Sequence, residues 1–232
     1  MKVTKTDIAS IVAKGTLGAI PVVGALAAEV VGALIPNRRL DRIEALLEEL
    51  SRKLGDQSPD EVRDRFTSPE FADLLEEGLQ QSARALSGER IARIAALLKN
   101  SLTEQELNHA QDKRLLELLG SLNDAEIIML QSYTRKAQYD HEWQERHAAV
   151  LVGPRAYIGA PQEDLDQATL NKQFREHLAQ MGLLVARVKS WKKGEIPEFD
   201  DKTGLPKLSG YELTPLGRLL LKRVDLLGED EW

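Results

Sequence analysis

The first 35 residues of the chain contain an apolar segment that limits how the whole protein can fold. Residues 8–35 carry only two charges, Lys14 and Glu29, and Pro21 divides them near the middle. A helix on the surface of a soluble protein has one apolar stripe and one charged face. Because this segment has almost no charged face, its surface must be covered by the protein's own core, by a partner or by lipid.

Pro21 predicts two short helices in this segment rather than one helix that spans a membrane. The residue before a proline is pushed out of helical geometry. Spanning a bilayer takes about 20 apolar residues, whereas the longest uncharged run here covers residues 15–28. We therefore expect an apolar, glycine-rich hairpin of helices over 6–19 and 22–35, whose small residues let the two backbones pack closely. The charges inside the segment do not favour a cleaved secretory signal.

This hairpin is a candidate contact surface for a membrane or a protein partner. Two arginines just beyond its end suit contact with anionic lipid headgroups, but they suit salt bridges to Glu44 or Glu48 equally well. The residues that we expect to make the contacts are Leu17, Ile20, Val23, Leu26, Val30, Leu34, Arg38 and Arg39. Burial in the centre of a helical bundle, or in a contact between copies of the chain, is the alternative.

Composition limits the classes of function that are open to the chain. It has 232 residues, 42% hydrophobic and 29% charged, which is typical of a soluble globular protein of one or two domains. The net charge of −6 argues against affinity for nucleic acid over the whole surface. The sequence has no cysteine, which excludes disulfides, thiol catalysis and cysteine-rich zinc sites. We expect a cytoplasmic protein, with peripheral association at the inner membrane as an alternative.

Residues 37–120 are predicted to form an antiparallel helical bundle with short loops. Apolar residues recur at three- and four-residue spacing over 40–54, with charged residues between them, as in an amphipathic helix. A short helix is expected over 59–65. Ser68 and Pro69 then predict the N-cap and the first residue of the next helix.

Two more helices complete the predicted bundle. Residues 87–89 are expected to break the chain before a helix whose apolar face covers 91–98. Thr103, with Glu106 three residues later, predicts a capping box at the start of a helix that runs to Leu119. Such a box satisfies backbone N–H groups that a helix leaves unpaired in its first turn.

Residues 121–232 are predicted to form a winged-helix-like domain with a small β-hairpin. A helix is expected over 169–181, followed by β character over 183–191 and 210–213 and by a last helix over 215–224. Helix, strand, loop, strand and helix follow one another in this order in winged-helix domains.

Local signals support the limits of these elements. A broad apolar face predicts a helix over 124–136, Gly182 suits the position just after a helix C-cap, and Thr214 suits an N-cap. The chain is therefore expected to be mainly α-helical. Its predicted parts are an apolar hairpin over 1–36, a helical bundle over 37–120 and a winged-helix-like domain over 121–232.

Winged helices often bind DNA, so the basic residues of the last part form a second candidate contact surface. DNA phosphates require clustered positive charge. The candidates are Lys172 and Arg175 on the predicted recognition helix and Lys189, Lys192 and Lys193 on the predicted wing. Acidic residues follow these lysines at once, and winged helices also serve as protein-interaction modules, so both classes of partner stay open.

Neither a catalytic site nor a metal site is predicted. His141 and Glu145 match one half of a His-Glu-x-x-His zinc motif, but no third ligand is evident. His109 and His177 have no neighbouring carboxylate or serine pattern that would indicate a base and a nucleophile. We therefore expect a protein that is not an enzyme, with no cofactor and no small-molecule substrate.

Three leucine-containing segments in the middle of the chain, and one motif near residue 215, resemble sequences of known protein families. They are Leu97-Leu98 with Asn100, Leu115-Leu116 with Leu119, Leu122 to Ile127, and Leu213-Thr214-Pro215-Leu216-Gly217-Arg218. The first three resemble the α-helical abortive-infection (Abi-alpha-like) family of bacterial proteins, and the last is similar to the Leu-Thr-x-x-Gly closure of winged helices. The resemblance implies a role in defence against phage and brings no catalytic residues with it.

These observations lead to two expected functions. The first is a non-enzymatic bacterial defence protein of the abortive-infection type, which acts through a membrane or through contact with a protein partner or a second copy of itself. The alternative is a winged-helix DNA-binding transcriptional regulator.

Overall fold

The computed structural model describes residues 40–55, 68–103, 108–153, 159–191, 196, 198–201 and 204–228. Within these residues the chain has ten helices and one antiparallel sheet of two strands, which confirms the prediction of a mainly α-helical fold. The chain divides into two compact units. Of the described residues, the first unit contains those up to Ser121 together with Arg223–Asp225, and the second contains those from Leu122 to Lys222 and from Leu226 to Gly228.

Several predicted features lie outside the described residues. These are the apolar hairpin, the helix expected over 59–65, and Glu106. The predicted contact residues that lie outside are Leu17, Ile20, Val23, Leu26, Val30, Leu34, Arg38, Arg39, Lys192 and Lys193.

The first unit has four described helices, two of which each contact the other three. They are α1 (Leu40–Leu54), α2 (Pro69–Arg84), α3 (Gly88–Thr103) and α4 (His109–Ser121). Helix α3 packs against α1, α2 and α4. Because five consecutive residues, 94–98, have no exposed surface, α3 is surrounded at this point rather than amphipathic.

The ends of these helices confirm the capping prediction at Ser68 and correct two other predictions, a cap at Thr103 and a break over 87–89. Ser68 Oγ accepts a hydrogen bond from the N–H of Phe71 at 3.1 Å, and Pro69 begins α2, as predicted. Thr103, in contrast, is the last residue of α3, where its hydroxyl donates to the carbonyl of Lys99 at 3.1 Å. The break expected over 87–89 is also shorter, since α3 already begins at Gly88.

The capping box before α4 is made by other residues than those predicted. Asn108 Oδ1 accepts from the N–H of Gln111 at 3.1 Å, and Gln111 Oε1 accepts from the N–H of Asn108 at 3.0 Å. The two side chains therefore satisfy each other's backbone N–H groups, as in a capping box. Helix α4 consequently begins at His109.

The first unit buries an ion pair between Arg223 and Asp112. Arg223 Nη2 donates to Asp112 Oδ1 at 3.0 Å, and the two side chains are 1% and 4% exposed. Arg223 Nη1 also donates to the carbonyl of Asn100 at 3.2 Å, and Asn100 Nδ2 donates to the carbonyl of Arg223 at 2.9 Å. Buried charges persist only where they are paired and hydrogen-bonded, and this arrangement meets both conditions.

Asp225 adopts a left-handed backbone conformation beside this pair, with φ of 58°. Few residues other than glycine adopt such a conformation. The carboxylate of Asp225 accepts from Lys53 Nζ at 2.7 Å and from Asn100 Nδ2 at 3.1 Å, which holds it in place. Partial burial raises the pKa of Asp225, but the hydrogen bonds from Lys53 and Asn100, with the charge of Lys53, outweigh burial and bring the pKa below its ordinary value.

The second unit has short helices at its start and a long helix before the strands. The elements in chain order are α5 (Asp124–Gln131), α6 (Arg135–Tyr139), α7 (His141–Arg146), α8 (Ala148–Leu151), α9 (Gln162–Gln180), β1 (Leu184–Val188), β2 (Leu208–Leu213) and α10 (Pro215–Arg223). The last residue of α10 belongs to the first unit.

Two predicted helix limits in this unit are wrong. A single helix over 124–136 was expected, but α5 ends at Gln131 and α6 begins at Arg135. Thr134 Oγ1 accepts from the N–H of Ala137 and starts a new helix there. Helix α9 begins at Gln162 rather than at Thr169.

Gly182 ends α9 as the sequence predicts. It has φ of 74°, and the N–H of Leu183 donates to the carbonyl of Leu178 at 2.9 Å, which is the bond of a Schellman motif. Leu178 and Leu183 are both fully buried. The turn therefore leads α9 directly into β1.

The Leu-Thr-x-x-Gly sequence at 213–217 fixes the start of α10 against this turn. The hydroxyl of Thr214 donates to the carbonyl of Gly182 at 2.7 Å and accepts from the N–H of Gly217 at 3.0 Å. A Cβ atom on Gly217 would collide with the carbonyl oxygen of Leu183. The glycine is therefore required by a close approach of two backbones.

Candidate functional site

The two strands are buried at only one end. Leu184 begins β1 and Leu213 ends β2; the two residues are cross-strand partners and are 2% and 8% exposed. Every other residue of β1 is exposed. A pair of strands with so little cover is marginally stable by itself, so it depends on its attachment at the buried end.

One face of the strand pair is apolar along its length. Residues directly opposite each other in an antiparallel pair point to the same face. The pairs on this face are Leu184 with Leu213, Ala186 with Tyr211, and Val188 with Leu208. On the other face, Arg187 forms an ion pair with Glu212. The apolar face continues to an exposed end, where Val188 is 43% and Leu208 is 50% exposed.

Backbone hydrogen bonds continue from the strands into the loop that connects them. The N–H of Lys189 donates to the carbonyl of Lys207, and the N–H of Lys207 donates to the carbonyl of Glu198, both at 2.8 Å. Phe199 and Pro206 form an isolated antiparallel bridge. The described loop residues therefore form an extension of the strand pair.

Large apolar side chains are exposed on this extension as well. Ile196 and Leu205 are 86% and 65% exposed, and Trp191 and Phe199 are about half exposed. With the two strand residues they define what we name the strand-loop surface: Val188, Trp191, Ile196, Phe199, Leu205 and Leu208. Exposed apolar residues scattered singly are ordinary, but a concentration of them marks interaction sites.

The basic residue Lys189, predicted to contact nucleic acid, is engaged by a carboxylate. Lys189 Nζ lies 2.7 Å from Glu198 Oε1, and the other oxygen of Glu198 lies 3.6 Å from Lys207 Nζ. The hydrogen bond from Lys189 lowers the pKa of Glu198. A phosphate that approached Lys189 would therefore compete with this carboxylate.

The two candidates on α9 also have intramolecular partners. Lys172 Nζ lies 3.6 Å from Glu176 Oε1, one turn along the helix. Arg175 is partly buried and donates to the carbonyl of Asn171 at 3.4 Å. The structure thus places Lys172, Arg175 and Lys189 next to acceptors of the same unit rather than in a cluster of unpaired cations.

His177 has a carboxylate partner that was not predicted from the sequence. Glu126 Oε1 lies 2.6 Å from His177 Nδ1, and the Glu126 side chain is 5% exposed. Glu126 also forms a capping box with Asn123 at the start of α5. The capping box was readable from the spacing of the two residues, but the contact with His177 arises from the packing of α5 against α9.

His109 likewise has a carboxylate neighbour that the sequence did not indicate. His109 Nε2 lies 3.2 Å from Asp73 Oδ2, and Lys113 Nζ lies 2.6 Å from the same oxygen. The hydrogen bond to Asp73 raises the pKa of Lys113. These three side chains connect α4 to α2 at the surface of the first unit.

The described part of the chain shows neither a metal site nor a membrane span. No three His, Asp or Glu side chains in it come together as ligands for a metal ion. Within the same residues, no helix combines the length and the apolar character that crossing a bilayer requires.

Comparison with known proteins finds no match for this chain. The chain was compared with protein-family models, with curated proteins and with solved structures, and it matches none of them.

Proposed function

We propose that the chain is a non-enzymatic bacterial defence protein of the abortive-infection type, and that its strand-loop surface contacts another protein. The observation that carries the contact is the exposure of six large apolar side chains between residues 188 and 208. The order of α9, β1, the loop, β2 and α10 supports a winged-helix-like interpretation of this region. The defence role rests on the resemblance of the leucine pairs.

The energetics of burial support a partner at this surface. Fully burying a Val, Leu, Ile or Phe side chain is worth about 1.5–3 kcal/mol, and Ile196 at 86% exposure has almost all of that still to gain. Aromatic residues such as Trp191 and Phe199 are frequent centres of protein interfaces. A partner that covers the surface would gain from most of its apolar residues at once.

The charges of the same region favour a protein over DNA. Each phosphate that a Lys or Arg neutralises releases cations condensed on the DNA, and this requires a side chain that is free to reach the phosphate. Lys189 and Arg187 instead pair with Glu198 and Glu212, so they would have to be separated first. A protein partner that packs on the apolar face requires no such exchange.

The proposal is tested by phage challenge of bacteria that express the protein. We expect plaque formation to fall at least tenfold with the wild type and to return to the empty-vector level with Val188→Asp plus Leu208→Asp, because two carboxylates would then interrupt the apolar face. Leu86→Asp plus Val152→Asp is the matched control: it adds the same charge at side chains that are 92% and 75% exposed elsewhere. Efficiency of plating is the measurement.

Two results would contradict this proposal. Wild-type protein that protects against none of a broad phage panel would remove the defence role. Protection that survives Val188→Asp plus Leu208→Asp would remove the strand-loop surface from it. Binding of labelled duplex DNA that weakens with salt and is lost in Lys189→Glu would instead support the transcriptional regulator.

Membrane contact through residues 8–35 is the second part of the proposal, and it rests on the sequence. We expect the protein to float with vesicles that contain anionic lipid, and we expect Leu26→Asp plus Val30→Asp to reduce the floating fraction several-fold. The reason is that a charged side chain is costly to bury in lipid. Leu86→Asp, which adds a carboxylate outside this segment, is the control and should float like the wild type. Flotation that is equal for all three proteins would argue against insertion of this segment.

A further inference from the structure

A groove of about 540 Å³ runs along one face of α9 in the second unit. Its walls come from α9, from Ala125 of α5 and from Ala149 and Val150 of α8. The strand-loop surface contributes no residue to the described lining. The groove is therefore a separate site, and a role for it is independent of the proposed function.

The groove is elongated along the helix. Its first lining residue on α9 is Glu163 and its last is Phe174, a separation of about 16 Å at the helical rise. The lining residues between them recur at three- and four-residue spacing, so they form a single stripe. An opening with this length suits about three turns of a second helix better than a compact small molecule.

The chemistry of the stripe changes from one end to the other. Glu163 and Asp166 line the end nearest the start of α9, and neither has an ion-pair partner among the described residues. Leu170, which is 56% exposed, and Phe174 line the other end. The groove therefore offers negative charge at one end and apolar surface at the other.

Asn171 is a lining residue whose amide group is buried by the protein itself. Its side chain is 7% exposed, and its Nδ2 atom has no hydrogen-bond partner among the described residues. Buried polar groups are nearly always hydrogen-bonded. The Nδ2 atom packs against the backbone of Gly153, where an added Cβ would lie 2.0 Å away, so it is covered by the chain itself.

We infer that this groove binds an amphipathic helix of a partner protein that carries Lys or Arg beside its apolar stripe. The apolar side chains of that helix lie on Leu170 and Phe174, and its cations lie beside Glu163 and Asp166. Helix-in-groove recognition of this kind is a recurring mode of protein contact.

The experiment uses the full chain and a labelled peptide of about five helical turns, built from Leu and Lys with leucines at helical spacing. Fluorescence anisotropy should show saturable binding of this peptide, and at least tenfold weaker binding of a scrambled peptide of equal composition. Glu163→Lys plus Asp166→Lys should weaken binding at least tenfold, and so should Leu170→Asp. Both variants change exposed residues, and circular dichroism should show unchanged helix content.

A matched control separates the groove from the overall negative charge of the protein. Glu142→Lys plus Glu145→Lys changes two exposed carboxylates of α7 and gives the same net charge as the groove variant, and it should bind the peptide like the wild type. Equal weakening in this control, equal binding of the scrambled peptide, or no binding at millimolar peptide would overturn the inference. The inference would also be overturned if Leu170→Asp converted a dimer to a monomer but left peptide binding unchanged. The groove would then be occupied by a second copy of the chain.

Discussion

Arg223 and Asp112 illustrate how much of the stability of the first unit depends on single side chains. Both lie almost wholly out of solvent, at 1% and 4% exposure. A buried pair of this kind is often replaceable by apolar residues, yet losing only one member leaves a buried group without its counter-charge. The two side chains therefore stabilise the fold only together, because either one alone would be a buried charge without its partner.

Removing the cation of this pair should therefore destabilise the folded chain. Arg223→Met should lower the free energy of unfolding by about 3–5 kcal/mol, because Asp112 stays buried and loses its ion-pair partner. Arg223→Met combined with Asp112→Leu should recover most of that loss. Urea denaturation followed by circular dichroism measures both. A double variant that is less stable than Arg223→Met would contradict this explanation.

Asp225 predicts a dependence of stability on acid pH. Because its pKa is lower in the folded chain than in the unfolded chain, its ionised form stabilises the fold above the unfolded pKa, and this contribution is lost as the pH falls through the folded pKa. Asp225→Asn should cost about 0.5 kcal/mol at neutral pH, since the carboxylate is partly exposed and screened. The difference should close in strong acid.

Asn is the appropriate substitution because it also tolerates the left-handed backbone that Asp225 adopts. Urea denaturation of both proteins across acid pH gives the measurement. A difference between them that stays constant down to strong acid would show that the ion pair is not its origin.

At the scale of elements, local signals predicted helix limits where the capping group and its target are neighbours in sequence. Ser68 and Gly182 are of this kind, and both act as expected. The prediction that Thr103 caps a helix was wrong because a threonine hydroxyl can equally donate to a carbonyl of the preceding turn, as it does to that of Lys99. The pairing of Glu126 with His177, in contrast, joins residues far apart in sequence, so no local pattern indicates it.

Gly217 carries a prediction about the start of α10. Gly217→Ala should lower the free energy of unfolding by about 1–3 kcal/mol, since the new methyl group meets a rigid backbone carbonyl and forces a shift. Gly88→Ala is the control: no atom lies within 4 Å of its added Cβ, and alanine favours a helix over glycine. Thermal melting should move in opposite directions for the two variants, and a parallel shift would refute the steric explanation.

At the scale of the whole molecule, the sequence predicted a mainly helical chain, but it did not predict the composition of the units. The periodic leucines indicate which residues are buried, because burial and helical spacing are local properties. Nothing in that pattern indicates that Arg223 belongs with α3 and α4. The first unit is consequently discontinuous in sequence.

A truncation tests this discontinuity. A chain that ends at Lys222 should show faster hydrogen exchange in α3 and α4 than the full chain, because Asp112 and Asn100 lose Arg223. A chain that ends at Asp225 keeps these contacts and should exchange more slowly than the shorter one. Equal exchange in the two truncated chains would show that residues 223–225 are dispensable for the first unit.

The discontinuous first unit also bears on how the protein is made. Domains generally fold as they leave the ribosome, starting from the N-terminus, yet Arg223 reaches Asp112 across 111 positions of sequence. The ribosome must therefore synthesise residue 223 before α3 and α4 receive their buried cation. Until Arg223 has been synthesised, the nascent helices of the first unit lack the cation that binds Asp112 and Asn100, and they stay accessible to chaperones and proteases.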